Sequence, residues 1–238
     1  NKNGIRELDA EWMYNQLEKR QIDLEQAEKN YTSIKDHKHI FIEHDTVDPV
    51  AYATLILPDL MAENIGTDLT VFAPAAVICK THDNMATLFT DNGFIVLVHN
   101  GKHKEFRFPN NKTISLRTYT KKYPELKDVE LRDVLAHFRK NHVGNIAITG
   151  NNTIGTGVTF NTVGFGFTHS IYSSYHARNM SELQQLFGRS TGNMKYCKRF
   201  TIICPSHIMM LYQNITKNKL AILSSRPQFI KKETFTGI

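Results

Sequence analysis

From Thr67 to Lys217 short apolar runs alternate with amphipathic stretches, and this alternation limits the fold more than any other feature of the chain. The runs are Leu69–Ala73, Phe94–Val98, Thr113–Leu116, Asn145–Thr149, Phe167–Tyr172 and Phe200–Cys204. Helical spacing predicts helices over Asp83–Thr90, Val129–Asn141, Asn179–Phe187 and Ser206–Lys217. Strands separated by helices pair in parallel through crossovers, so the pattern predicts an α/β fold with a mainly parallel sheet flanked by helices. In such sheets ligands meet loops at the carboxyl ends of the strands. Three glycine-rich or polar loops fit that description: Gly150–Thr156, Tyr175–Asn179 and Gly188–Asn193.

Upstream, Arg6 to Asp36 is charged, with Leu8, Met13, Leu17, Ile22, Leu24 and Ala27 at roughly helical spacing. A connector from His37 to Pro49 follows and contains Ile40-Phe41-Ile42. Asp48-Pro49 then reads as an N-cap with proline at the first helical position, starting a helix over Val50–Asn64. The expected division is an N-terminal helical and linker segment over 1–64, the α/β domain over 65–220 and a basic C-terminal extension over 221–238.

Composition narrows the function classes. With 41% hydrophobic and 22% charged residues the chain is not of disordered type. A net charge of +6 suits an anionic partner, nucleic acid being the commonest, but it equally fits a solvated basic surface. Cys79, Cys197 and Cys204 are widely spaced, giving neither a zinc pattern nor a disulfide framework. That usage points to a reducing, intracellular setting such as cytoplasm or nucleus. No apolar run is long enough to cross a bilayer, so no membrane partner is expected. His82-Asp83 and His169 stand without partner spacing, and no metal site is expected. Lys102, His103, Lys104 and Arg107, with Lys112 and Arg117 near them, read as solvated charge with phosphate contact as the sharper alternative. Tyr172, Tyr175 and His176 follow a strand, where an aromatic ring could stack on a base but more often packs on the domain.

Two stretches carry chemistry. Gln185-Leu186-Phe187-Gly188-Arg189 closes the segment Asn179–Phe187, read as a short helix ended by Gly188. An arginine there can turn a charged, bidentate fork toward a phosphate. Thr149-Gly150-Asn-Asn-Thr-Ile-Gly155-Thr156-Gly157-Val158-Thr159-Phe160-Asn161 is a strand end followed by glycines and hydroxyls. Exposed N–H groups in such a loop can bind phosphate oxygens, although many glycine loops are only tight turns. The first stretch resembles motif VI (Q-x-x-G-R-x-x-R) of superfamily 2 helicases. The second resembles motif V, with Gly157-Val158-Thr159 matching its ending. Leu69–Pro74, then Lys80-Thr-His82 opening a helix, then Gly93–Gly101 looks like the motif IV region.

These blocks, in order from Thr67 to Pro205, resemble the second RecA-like domain of a superfamily 2 helicase, with wording suggestive of a viral or phage-like branch. The resemblance implies a RecA-like sheet and a role as the C-terminal half of an ATP-dependent DNA or RNA helicase or translocase. It implies that Arg189 is an arginine finger and that Gln185 helps place it. Gly188, Gly157, Gln185 and Arg189 would then face nucleotide, while Thr156, Gly157, Val158, Thr159, Lys80 and His82 would face nucleic acid. ATP and Mg²⁺ would be held mainly by a first RecA-like domain in cis, which the resemblance places before Asn1.

The departures from the family pattern are specific. Gly192 stands where the second motif VI arginine belongs, and Thr156 where motif V often has arginine. The 238 residues contain no G-x-x-x-x-G-K-[ST] cradle and no D-E-x-[DH] stretch for Mg²⁺, so the chain alone is not expected to hydrolyse ATP. An alternative is a stand-alone nucleic-acid-binding module with a degenerate RecA-like fold. A third reading is a small-molecule α/β enzyme that uses Gly150–Gly157 for a phosphate.

Overall fold

In the computed structural model, residues 37–150, 160–191 and 200–225 are described. The chain divides into two compact units, Asp36–Tyr212 and Asn1–Lys35 with Gln213–Ile238. Of the second unit only Gln213–Ser225 falls among the described residues, as the far part of a helix that starts at Ser206. The expected helix over Arg6–Asp36 and the basic tail beyond Ser225 lie outside the described residues.

The first unit is built on one sheet of eight strands: β1 (Lys38–Phe41), β2 (Thr70–Phe72), β3 (Ile95–His99), β4 (Lys104–Arg107), β5 (Thr113–Ser115), β6 (Ile146–Gly150), β7 (His169–Ile171) and β8 (Thr201–Cys204). Their spatial order is β1-β8-β7-β2-β6-β3-β4-β5. All pairings from β1 to β3 are parallel, and only the β3–β4 and β4–β5 pairings, at one edge, are antiparallel. The expected α/β class and mainly parallel sheet are what the chain adopts, and the arrangement is consistent with a RecA-like fold. Six helices flank the sheet among the described residues: α1 (Pro49–Glu63), α2 (Cys79–Asp91), α3 (Leu116–Lys122), α4 (Leu131–Asn141), α5 (Met180–Thr191) and α6 (Ser206–Ser225).

Burial on both faces explains why the central strands read as continuous apolar runs: every residue of β2, β6 and β8 is buried. On one face Tyr52, Ile56 and Leu60 of α1 and Met85 and Phe89 of α2 pack on Val71, Val96, Val98, Ala147, Ile171 and Ile203. On the other, Phe72 meets Phe167 at 5.2 Å and Phe160 at 5.9 Å between ring centroids. Asp48 caps α1 as its sequence predicts, accepting from Ala51 N at 2.8 Å, with Pro49 in the first turn.

Three expectations need correction. Ile40-Phe41-Ile42 is not connector alone: Lys38–Phe41 forms β1, an edge strand in register with Thr201–Cys204. Its charged and histidine residues hid it, yet His37 is buried against Phe200, with ring centroids 4.1 Å apart. The basic cluster after β3 is likewise a strand. Phe106 of β4 is fully buried and stacks on Phe138 at 3.8 Å, while Arg107 pairs with Asp83 at 2.7 Å and Glu105 at 2.9 Å. The segment read as Asn179–Phe187 is a helix that continues to Thr191, so Gly188 and Arg189 lie inside it. Gly188 is absent from the glycines with positive φ, so it does not end the helix in the left-handed conformation a terminating glycine takes.

Candidate nucleotide and nucleic-acid site

The strand order places β2 at the centre of the sheet. From β2 the chain moves outward to β3, fills the gap with β6, then crosses to β7 and β8 on the other side. The carboxyl ends of β2, β6 and β7 therefore lie side by side at one edge of the sheet, the place where open α/β sheets bind ligands.

Hydrogen bonds join those ends. Ala75 N donates to Gly150 O at 2.9 Å, tying the loop after β2 to the end of β6. Val77 N donates to Tyr175 Oη at 3.2 Å, tying the same loop to the 3-10 turn Ser174–Arg178 after β7. The Arg178 guanidinium lies 5.0 Å from the Tyr175 ring centroid. Val77 and Ile78 are exposed beside this junction.

Lys80 is exposed in the first turn of α2. His82, named with it in the sequence, is only 2% exposed. Its Nε2 donates to Ala76 O at 2.6 Å, and its Nδ1 lies 3.0 Å from Asn100 Nδ2. A neutral ring with the proton on Nε2 satisfies both contacts, since Asn100 Nδ2 can only donate. Burial lowers the His82 pKa and keeps that neutral form. Asn100 Oδ1 accepts from the backbone N–H groups of Lys102 and His103, at 2.8 and 2.6 Å. His82 thus fastens the loop after β2 to the β3–β4 turn, and both of its ring nitrogens are engaged within the chain.

Arg189 is half-buried in the last turn of α5, and burial lowers its pKa from the usual arginine value. A guanidinium so far from neutrality keeps its charge at physiological pH. Gln185 is exposed one turn earlier, four residues before Arg189 and so on the same side of the helix. Leu183, Leu186 and Phe187 bury the opposite side. The last turn is held by Tyr172, the residue immediately after β7. Tyr172 Oη lies 2.7 Å from Ser190 Oγ and 3.2 Å from Leu186 O. Asn161 Nδ2 donates to Ser190 O at 3.0 Å.

Thr156, Gly157, Val158 and Thr159 lie outside the described residues, as does Gly192. Among the described residues no group of three or more His, Cys, Asp or Glu side chains could hold a metal ion. No helix among the described residues is long and apolar enough to cross a membrane. Sequence reasoning missed Asn161, Tyr172 and Ser190 as partners of the arginine turn. The one available signal was the polar Asn161 directly after Phe160, in a stretch that also holds Phe165 and Phe167.

No family model matches the chain, and no curated protein matches it. Among solved structures it is similar to the C-terminal part of the Fun30 ATPase domain, with a TM-score of 0.40 and 9% identity. That likeness covers 77% of this chain and 55% of the solved one, so the chain spans about half of that protein's length.

Proposed function

We propose that this chain is the C-terminal RecA-like half of an ATP-dependent superfamily 2 helicase or translocase, the domain that contributes an arginine to ATP held elsewhere. The supporting observation is the junction at Ser190. Asn161, from the segment that resembles motif V, and Tyr172, at the end of β7, both bond the turn that carries Arg189 of the motif VI resemblance. Two sequence blocks matched separately thus touch in three dimensions, next to the residue that the chemistry needs.

In this reading ATP·Mg²⁺, when bound, supplies the transferable phosphoryl group and the metal's charge from a partner domain. Arg189 stabilises charge developing on the phosphoryl oxygens, a contact worth roughly three to five powers of ten in rate. Gln185, on the same side of α5, orients nucleotide and arginine. Thr156, Gly157, Val158, Thr159 and Lys80 line the nucleic-acid track, Lys80 from the exposed first turn of α2. Closure of the partner domain on this one and its release afterwards move the strand.

Arg189→Ala tests the reading in a preparation that joins this chain to its cradle-bearing domain. Loss of nucleic-acid-stimulated ATPase with retained oligonucleotide binding is expected. Unchanged ATPase sinks the arginine-finger role. Gly192 in place of the second motif VI arginine favours the second reading, a binding module without ATPase activity. That reading predicts oligonucleotide binding by the 238-residue chain that ATP never alters, with or without a cradle domain.

A further inference from the structure

Arg189 sits where α5 is intrinsically weakest. Gly188 precedes it, and glycine is a poor helix former because it gives up the most backbone freedom. Among the described residues nothing lies within 4 Å of a Cβ built at Gly188, so none of them packs a side chain against that position. The carbonyls of a last helical turn also lack intrahelical partners. Left to itself, the turn bearing Arg189 would fray.

Two buried residues from other elements supply what is missing. Asn161, 1% exposed, donates from Nδ2 to the Ser190 carbonyl and so acts as a side-chain cap. Its Oδ1 is buried without a hydrogen-bond partner, so among the described residues the contact to Ser190 is its one amide hydrogen bond. Tyr172, fully buried, holds the other side. Ser190 Oγ donates to Phe187 O at 3.0 Å, which leaves that hydroxyl to accept from Tyr172. Burial raises the Tyr172 pKa, so its hydroxyl remains a donor throughout the physiological range. The Tyr172 ring stacks on Phe187 at 4.2 Å, and Phe187 stacks on Tyr212 at 4.5 Å.

We propose that Asn161 and Tyr172 are positioning residues for Arg189: they keep the last turn of α5 helical and present its guanidinium in one place. The proposal rests on the reading of Arg189 as the phosphate-binding arginine. Neither residue touches nucleotide in it; both act through the Ser190 turn.

The test begins with the Nε–Hε resonance of Arg189 in the full chain, assigned by its loss in Arg189→Ala. Tyr172→Phe keeps the ring stack and removes only the hydroxyl, and Asn161→Ala removes the cap. Both variants are expected to shift and broaden the Arg189 signal while those of Arg107 and Arg139, bonded elsewhere, hold their positions. An Arg189 signal unchanged in both variants overturns the proposal; movement of all three arginines marks general loosening and overturns it equally. The second readout is ATPase with the cradle-bearing domain. Tyr172→Phe should lower kcat without raising KM for ATP, and should add no further loss to Arg189→Ala. A KM effect alone, or full additivity with Arg189→Ala, overturns the positioning role. Failure of the functional reading is distinct: there Arg189→Ala itself leaves ATPase unchanged, whatever the resonances do.

Discussion

The hydroxyls of Tyr172 and Ser190 meet at 2.7 Å, joining the end of β7 to the last turn of α5. In Tyr172→Phe the Ser190 hydroxyl keeps its bond to Phe187 O and the ring stack survives. The expected loss is therefore that of one buried hydrogen bond, about 1 kcal/mol. Tyr172→Ala also removes a fully buried ring, and roughly 3–5 kcal/mol is expected. Urea unfolding of the two variants checks the gap between them. Equal losses would mean that the hydroxyl, not the ring, dominates.

Lys80 and His82 lie two residues apart in the first turn of α2 and differ completely in exposure. Lys80 is exposed, so Lys80→Ala should weaken oligonucleotide binding uniformly across sequences and reduce the salt slope by about one phosphate contact. His82→Ala strands Asn100 Nδ2 and the Ala76 carbonyl, with an expected loss of roughly 1–3 kcal/mol and no change in salt slope. Binding isotherms at several salt concentrations, alongside thermal melts, measure both. A salt slope altered by His82→Ala but not by Lys80→Ala would reverse the two assignments.

How much of this was legible in sequence follows from what each residue's neighbours are. The buried strands β2, β6 and β8 announce themselves, because a strand covered on both faces must be apolar throughout. β1 and β4 do not: β1 is an edge strand, β4 lies one strand in from the opposite edge, and both carry charge, with Lys38 and Lys104 exposed and Phe106 alone marking the inner face of β4. Gly188 misleads for a different reason. A glycine signals a helix end only when nothing else satisfies the turn, and Asn161 and Tyr172 do so from distant positions. His82 reads as a polar residue at a helix start, and only the fold shows that Asn100, eighteen residues on, faces its ring. Local pattern gives the elements, whereas polar partners across the sheet decide which motif residues face solvent.

Arg139 links the end of α4 to the start of β2. Its guanidinium donates to Gly144 O at 2.6 Å, to Leu69 O at 3.1 Å and to Thr70 Oγ1, with Asp68 at 3.7 Å. Arg139→Lys keeps the charge but cannot reproduce a planar fork that spans three acceptors. A loss of about 2 kcal/mol is expected from the charged hydrogen bonds given up. Chemical denaturation of Arg139→Lys beside Arg139→Met separates fork from charge. Lysine matching the native chain would show that charge alone suffices.

Acid should destabilise the unit through its buried histidines. His176 is 1% exposed, its Nδ1 accepts from Ser173 N at 3.1 Å, and burial pushes its pKa down to about 4. The unfolded chain takes up the proton near pH 6.5, the ordinary histidine value, whereas the folded chain resists until about pH 4. The stabilisation is therefore complete above the unfolded value, lost progressively as pH falls from 6.5 toward 4, and absent below. It amounts to a few kcal/mol for this one side chain. His99 and His169 are lowered to about 4 by burial as well, and they add to the same window. His176→Gln cannot titrate, so its thermal midpoint should fall less steeply than that of the native chain between pH 6.5 and 4, even if it starts lower. Parallel curves for the two proteins would show that His176 is not the group being protonated, and the same comparison with His169→Gln would then locate it.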